Sequence, residues 1–303
     1  MRFPGVYRCR HWAVVAFATV QDSAARDCSG GDMAKRTLHT WFWNLYSRCY
    51  DGLLDFIPYQ RLLELTVRSA RPADGQRIVD LGCGTGNTLR AVRDTVEGAE
   101  LVGVDSSPSM LAVARSKFRG DAHTSFEQRD LLEWLRGAPS GSVDRLISVN
   151  VLYTMHAPQR REFWSEALRV LSPGGRLVVV TTDRAGIGPV VREHTAERSF
   201  FASLTPRLTA VIVLNLVIWL LESRKVFDPA DVATLRSEVS EAGGVVLAEQ
   251  RCYGGPEEGV DVLLVVERVL DLAARERTVD LAEPSAPAEA ASPDGPGASE
   301  LLE

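Results

Sequence analysis

Cysteine is scarce in this sequence and never clustered. Cys9, Cys28, Cys49, Cys83 and Cys252 are scattered, and no two of them form a C-x-x-C pair. That composition indicates neither a disulfide framework nor a zinc site, and it fits a reducing compartment. A basic excess is missing too. Lys and Arg number 34 against 40 Asp and Glu, a net charge of −6. This excludes a general nucleic-acid binder, whose affinity rests on a basic face, and leaves open a particular tRNA or rRNA target. No apolar run is long enough for a bilayer. The longest, Leu208 to Leu221, has 14 residues; as a helix it would span about 21 Å, short of the roughly 30 Å hydrocarbon core. What is present is ordinary for a globular chain: 303 residues, 45% hydrophobic and 24% charged, enough for one large domain or two small ones.

The most informative stretch is R-I-V-D-L-G-C-G-T-G, Arg77 to Gly86. Ile78 to Leu81 reads as a short buried strand with Asp80 near its carboxyl end. Gly82, Gly84 and Gly86 follow at alternate positions, and a helix pattern runs from Asn87 through Val96, with Leu89, Val92 and Val96 on one face. A strand that bends on glycines into a helix presents bare backbone N–H groups at one point. The spacing narrows the ligand. A dinucleotide fingerprint places its third glycine five positions after the first, where this chain has Asn87. The next strand, E-L-V-G-V, ends on Asp105, 23 residues after Gly82. That is one βαβ step, close to the roughly 20 residues expected of an acid that grips a ribose.

An acid on the opening strand, G-x-G-x-G after it and a second acid ending the next strand resemble the first motifs of the class I S-adenosylmethionine-dependent methyltransferases. V-L-S-P-G-G-R-L-V-V-V, Val170 to Val180, resembles a further motif of that family, which shapes the turn into the fifth strand. The resemblance covers about 38–269, and the chain is similar to the quinone and phospholipid methyltransferase group. It implies an α/β fold: a Rossmann-like, doubly wound, seven-stranded sheet with a reversed seventh strand, a helical cap before the sheet and an apolar helical lid. It implies S-adenosylmethionine as cofactor. Gly82, Gly84 and Gly86 would admit its methionyl part, Asp80 would orient the amino group, and Asp105 would hold the ribose hydroxyls. Met110 would lie beside the adenine and Asp130 would meet the adenine amino group. Ser106, Leu131 and Asn150 fall on the same pocket. Asp130 has a second reading, as the N-cap of a helix over Leu131 to Leu135. Cys83 reads as a small side chain that fits the loop.

The domain is expected over 33–270, with a cap at 37–71 and a lid at about 184–225. Ahead of it, 1–32 imitates a signal peptide: Arg2, Arg8 and Arg10 precede the apolar Trp12 to Val20. An exported methyltransferase would leave its cofactor behind, so this segment reads as an extension, Met33 is a candidate start, and the cytoplasm is the expected location. In the cap, Tyr50-Asp51 matches a Tyr-Asp common in the family. Tyr46 and Tyr50 either offer an aromatic face to a sulfonium or pack the cap onto the core. The chain after about 271 is rich in Ala, Pro, Ser and acids and reads as a disordered tail.

Strands are expected at Phe126 to Asp130, Ser142 to Val149, Arg176 to Thr182, Val245 to Tyr253 and Val260 to Val269. Helices are expected at Tyr59 to Ala70, Ser106 to Phe118, Pro158 to Val170 and Asp228 to Gly243. In an open parallel sheet, ligands sit beyond the carboxyl ends of the strands, so Asn150 to His156 would line the reaction site. His156 is the candidate general base, with backbone hydrogen bonding as its alternative role, and Tyr153 is a substrate-positioning candidate. Asp183 is either a substrate contact or an exposed turn acid. The apolar run at 208–221 implies a small lipophilic acceptor or peripheral membrane contact, or else a buried packing helix. Two other functions remain open at this level: a nicotinamide-dependent oxidoreductase on a related sheet, and a cofactor-binding protein that acts through partners without catalysis.

Overall fold

The computed structural model describes residues 47, 50–183, 188–197, 209 and 228–269. These fall within one compact unit, 42–303. The sequence expectations for 1–32, for the cap before 47 (with Tyr46), for the run 208–221 apart from Thr209, and for the tail lie outside the described residues.

Seven strands form one sheet: β1 (Arg77–Leu81), β2 (Glu100–Asp105), β3 (Thr124–Gln128), β4 (Val143–Val149), β5 (Leu171–Thr182), β6 (Gly244–Cys252) and β7 (Asp261–Arg268). Their order is β3-β2-β1-β4-β5-β7-β6. The pairs from β3 to β5 are parallel, and β7 runs antiparallel between β5 and β6. The expected Rossmann-like sheet with a reversed last strand is therefore what forms. Around it lie a 3-10 turn (Tyr50–Asp55) and α1 (Ile57–Ala70), α2 (Asn87–Arg93), α3 (Pro108–Lys117), α4 (Leu131–Gly137), α5 (Ala157–Val170), α6 (Gly188–Glu197) and α7 (Val232–Glu241).

Successive strand residues face opposite sides of a sheet, and the core splits accordingly. Ile78, Leu101, Ile147, Val178 and Leu263 share one apolar layer with Leu62, Leu89 and Leu111. Their neighbours Val79, Val102, Leu146, Val179 and Leu264 share the other with Leu135, Phe163, Trp164 and Val239.

Most boundaries fall within two residues of the sequence expectation, and three differ by three residues or more, each for a local reason. Helix α2 stops at Arg93, three residues early. The guanidinium of Arg93 then holds the following turn, donating to the carbonyls of Glu97 and Ala99 and to Asp121 Oδ2. Strand β5 begins at Leu171 instead of Arg176, because Leu171 already pairs with Val143 and the chain bulges before Arg176 pairs with Arg145. The bulge needs Gly174 at φ 73° and Gly175, whose added Cβ would meet Ser172 O at 2.8 Å. Helix α7 begins at Val232, capped by Asp231 Oδ1 accepting from Thr234 N at 2.7 Å, and not at Asp228-Pro229. The Asp228 backbone is already engaged: its N–H donates to Tyr153 O and its carbonyl accepts from Arg160.

Candidate functional site

All three glycines of the first bend adopt the left-handed conformation, Gly82 at φ 73°, Gly84 at 53° and Gly86 at 78°. Side chains rarely tolerate that region, and space is as restrictive. A Cβ on Gly82 would overlap Val151 Cγ2, and one on Gly86 would stand 3.3 Å from Ala114 Cβ. A Cβ on Gly84 would lie 3.9 Å from Tyr50 Cε1 and 4.0 Å from Met110 Sδ. The fold thus brings Tyr50, Gly84 and Met110, three of the predicted residues, to one place. Helix α2 has only seven residues, so the cradle is the bend itself and not a helix dipole.

Two carboxylates face this bend. Asp105 is held in place: its Oδ2 accepts from Gly84 N at 2.9 Å and its Oδ1 from Ser107 N at 2.8 Å. Each oxygen keeps a further lone pair for a hydroxyl donor. Burial pushes its pKa up, and the two backbone bonds oppose that. Asp80 is the unusual one. It is 1% exposed, and neither oxygen has a hydrogen-bond partner among the described residues. Burial first, and the charge of Asp105 second, push its pKa up to about 8. A buried carboxylate without donors is costly, and such groups call for an explanation. The thiol of Cys83 is buried, and its pKa is raised by burial and then by Asp80 and Asp105, so it is an inert packing group. Gly103 makes room for it: a Cβ there would stand 2.9 Å from Cys83 Sγ.

At the end of β4, Asn150 takes φ 56°, uncommon for a residue with a side chain. Its N–H donates to Val180 O, and its buried Oδ1 has no hydrogen-bond partner among the described residues. Tyr153 is buried in the 3-10 turn Leu152–Thr154. His156 caps α5, its N–H donating to Gln159 Oε1 at 3.1 Å. Its imidazole is 64% exposed, with Nδ1 3.9 Å from Asp228 Oδ2. Asp130 caps α4, Oδ1 accepting from Leu132 N and Glu133 N, the structural reading of this residue. Ser106 is exposed and Leu131 half-buried. Asp183 is neither a free turn acid nor open to a substrate. Arg251 donates to both of its oxygens at 2.9 Å, and its side chain is 4% exposed.

Sequence reasoning missed the polar cluster beneath the bend. Lys117, the last residue of α3, donates to Asp51 Oδ1, Thr85 Oγ1 and Asn87 Oδ1 at 2.7, 3.1 and 2.6 Å. No local pattern flagged it, because its partners lie 66, 32 and 30 residues away. A second missed feature is buried. Arg160 donates to both oxygens of Glu238 and to the carbonyls of Met155 and Asp228.

Residues 78–175 match the family described as a methyltransferase domain. The trans-aconitate 2-methyltransferase of Acidovorax sp. (strain JS42) is 34% identical over 146 residues, 48% of this chain and 51% of that one. The chain therefore spans about half the length of that relative. The demethylmenaquinone methyltransferase of Lactococcus lactis is 27% identical over 220 residues, 70% of this chain and 84% of that one. Among solved structures, a complex of the Haloferax volcanii Trm112 methyltransferase activator and a putative methyltransferase has a similar fold. Its TM-score is 0.51 at 18% identity, over 75% of this chain and 97% of that chain.

Proposed function

Since the chain belongs to the class I S-adenosylmethionine-dependent methyltransferases, we propose that it transfers a methyl group from that cofactor to a small, lipophilic acceptor. The observation that carries this reading is Asp80. A carboxylate 1% exposed and without a donor among the described residues, at the end of β1 beside the glycine bend, suits a ligand cation. Asp105, tethered by Gly84 N and Ser107 N, suits a pair of ribose hydroxyls. S-adenosylmethionine supplies a methyl group on a sulfonium that is already activated for displacement.

The protein's part is then alignment and exclusion of water. Asp80 holds the amino group, the bend admits the chain that carries it, and Tyr50 and Met110 flank Gly84. Ser106, Asp130, Leu131 and Asn150 complete the pocket in this reading, with Asp130 contacting the adenine through Oδ2, since Oδ1 caps α4. On the acceptor side, Asn150 to His156 border the reacting centre, and His156 takes the proton if the acceptor is a hydroxyl or an acidic carbon. Tyr153 acts through its position in the same turn.

The lipophilic acceptor is supported by the run at 208–221 in the proposed lid and by the likeness to a demethylmenaquinone methyltransferase. Peripheral membrane contact through 208–221 belongs to the same reading, and so does cytoplasmic location. Among the described residues, no helix is long and apolar enough to cross a membrane.

Incubating the purified chain with methyl-labelled cofactor and a lipid-fractionated extract tests the proposal. A labelled lipid-soluble product is expected, and label confined to the water-soluble acids would discard the lipophilic acceptor. His156→Ala is expected to lower turnover about tenfold or more, within the usual range for losing a general base, with little change in cofactor affinity. Unchanged turnover removes His156 from the chemistry.

A further inference from the structure

Lys117 sits outside the predicted site, yet its ammonium joins three separate segments. Asp51 belongs to the 3-10 turn that precedes α1, Thr85 to the glycine bend, and Asn87 to the first turn of α2. An ammonium has three protons, and each has one acceptor here, at 2.7, 3.1 and 2.6 Å. Thr85 is fully buried and also donates to Asp51 Oδ1 at 2.7 Å. Asn87 Nδ2 donates onward to Tyr59 OH at 3.4 Å. The Tyr59 hydroxyl is in turn hydrogen-bonded to Tyr50, and its pKa is pushed up to about 12, chiefly by burial. Tyr50 is the residue whose ring lies against Gly84. A continuous polar chain therefore runs from Lys117 through Asn87 and Tyr59 to the aromatic ring at the bend.

The arrangement costs something. Burial lowers the Lys117 pKa, and the Asp51 carboxylate opposes that. The Lys117 side chain is 22% exposed and that of Asp51 37%, so the pair is partly screened from water. Nothing in the sheet requires it, because Lys117 ends its helix and contacts no strand through these bonds. Its three acceptors have one thing in common: they are the parts of the chain that surround Gly84.

We infer that Lys117 is a clasp, a positioning residue that fastens the Tyr50–Asp55 turn to the glycine bend and so sets how long the cofactor stays bound. The inference rests on the reading of the bend as the cofactor site. Opening the turn for entry or exit must break the Lys117–Asp51 and Thr85–Asp51 contacts together, since both end on the same Asp51 oxygen. Weakening the clasp therefore acts mainly on release, where most differences between related complexes appear.

The test measures binding and release of S-adenosylhomocysteine on the full chain, by calorimetry and by rapid-dilution chase. Lys117→Met keeps most of the stem and removes the charge. It is expected to release the ligand about tenfold faster than wild type, roughly the worth of one charge-assisted bond, since the pair is partly exposed to solvent. It should raise the cofactor KM more than it lowers kcat, a split that general loosening of the fold would not produce. Lys117→Arg, which keeps charge and donors, is expected to recover most of the slow release. Asp51→Asn, at a half-buried position of the turn, carries the same test if Lys117→Met does not fold. The double variant should be no worse than Lys117→Met alone, because both changes remove one pair. Equal release from wild type and both single variants overturns the clasp and leaves the cofactor reading standing. No binding by the wild type removes that reading, and the clasp falls with it.

Discussion

Asp80→Asn is expected to make the ligand-free protein more stable and to weaken cofactor binding by about 2–3 kcal/mol, roughly a hundredfold, the scale of a buried charge-assisted interaction. The two effects share one cause. With its folded pKa near 8, Asp80 holds a proton in the native state that it releases in the unfolded chain above about pH 4. The native state thus binds more protons between those values, and stability must fall as pH rises through that window. Below about pH 4 the group is protonated in both states and costs nothing further; above about 8 its full cost is present. Thermal melts of wild type and Asp80→Asn should therefore agree best near pH 4–5 and diverge towards pH 8, with the variant the higher. A gap that does not change with pH would mean that Asp80 is not the group titrating there.

Ligand binding is linked to the same proton. A cation next to Asp80 favours its ionised form, so association near pH 7 should release close to one proton per site. Calorimetry in buffers of differing ionisation heat measures that number directly. Affinity should weaken about tenfold for each pH unit below 8 while the free protein remains protonated there. In Asp80→Asn both signatures should vanish. The carboxylate at the end of β1 is in this view a site kept unstable for the sake of its ligand, a common trade between stability and function.

The second large effect is expected from Arg160→Met, which should lower unfolding stability by about 3–5 kcal/mol. Arg160 and Glu238 are 4% and 5% exposed at the side chain. Glu238 takes bonds from Arg160 Nε and Nη2 at 3.3 and 3.2 Å and from Trp164 Nε1 at 3.1 Å. Removing the guanidinium leaves a buried carboxylate with the indole as its remaining donor. It also frees the carbonyls of Met155 and Asp228, each of which accepts from Arg160 at 2.9 Å. Urea denaturation of Arg160→Met against the double variant with Glu238→Gln separates the two contributions. The double variant should recover part of the loss, because it no longer buries an unpaired charge. A single variant within about 1 kcal/mol of wild type would show that the pair adds no net stability, as some buried pairs do not.

Asp183 and Asp130 show how the same residue type can read alike in sequence and differ in space. Asp130 is the last residue of one predicted strand and Asp183 directly follows another. Asp130 turned out to cap a helix through neighbours two and three residues on, a partner set visible in the local pattern. Asp183 is paired with Arg251, 68 residues later, and nothing near it in the chain pointed to that arginine. His156 and Asp228 are separated by a segment of comparable length, and the structure brings them to 3.9 Å. The loop after β4 was legible as the border of a site, but its anchoring to the return of the chain before α7 was not.

Sequence alone determined the order of strands and helices, the bend at Gly82, Gly84 and Gly86, and the two acids one βαβ step apart. Those features depend on short-range rules: alternation along a strand, helical period, and a backbone conformation that only glycine adopts readily. The tertiary structure decided which of the two acids has no donor among the described residues, which lysine reaches beneath the bend, and which carboxylates are already paired with arginines. The lysine and arginine pairs are contacts between residues tens of positions apart. Burial and opposite charge select such pairs only once the sheet has closed and water has been removed from between its layers.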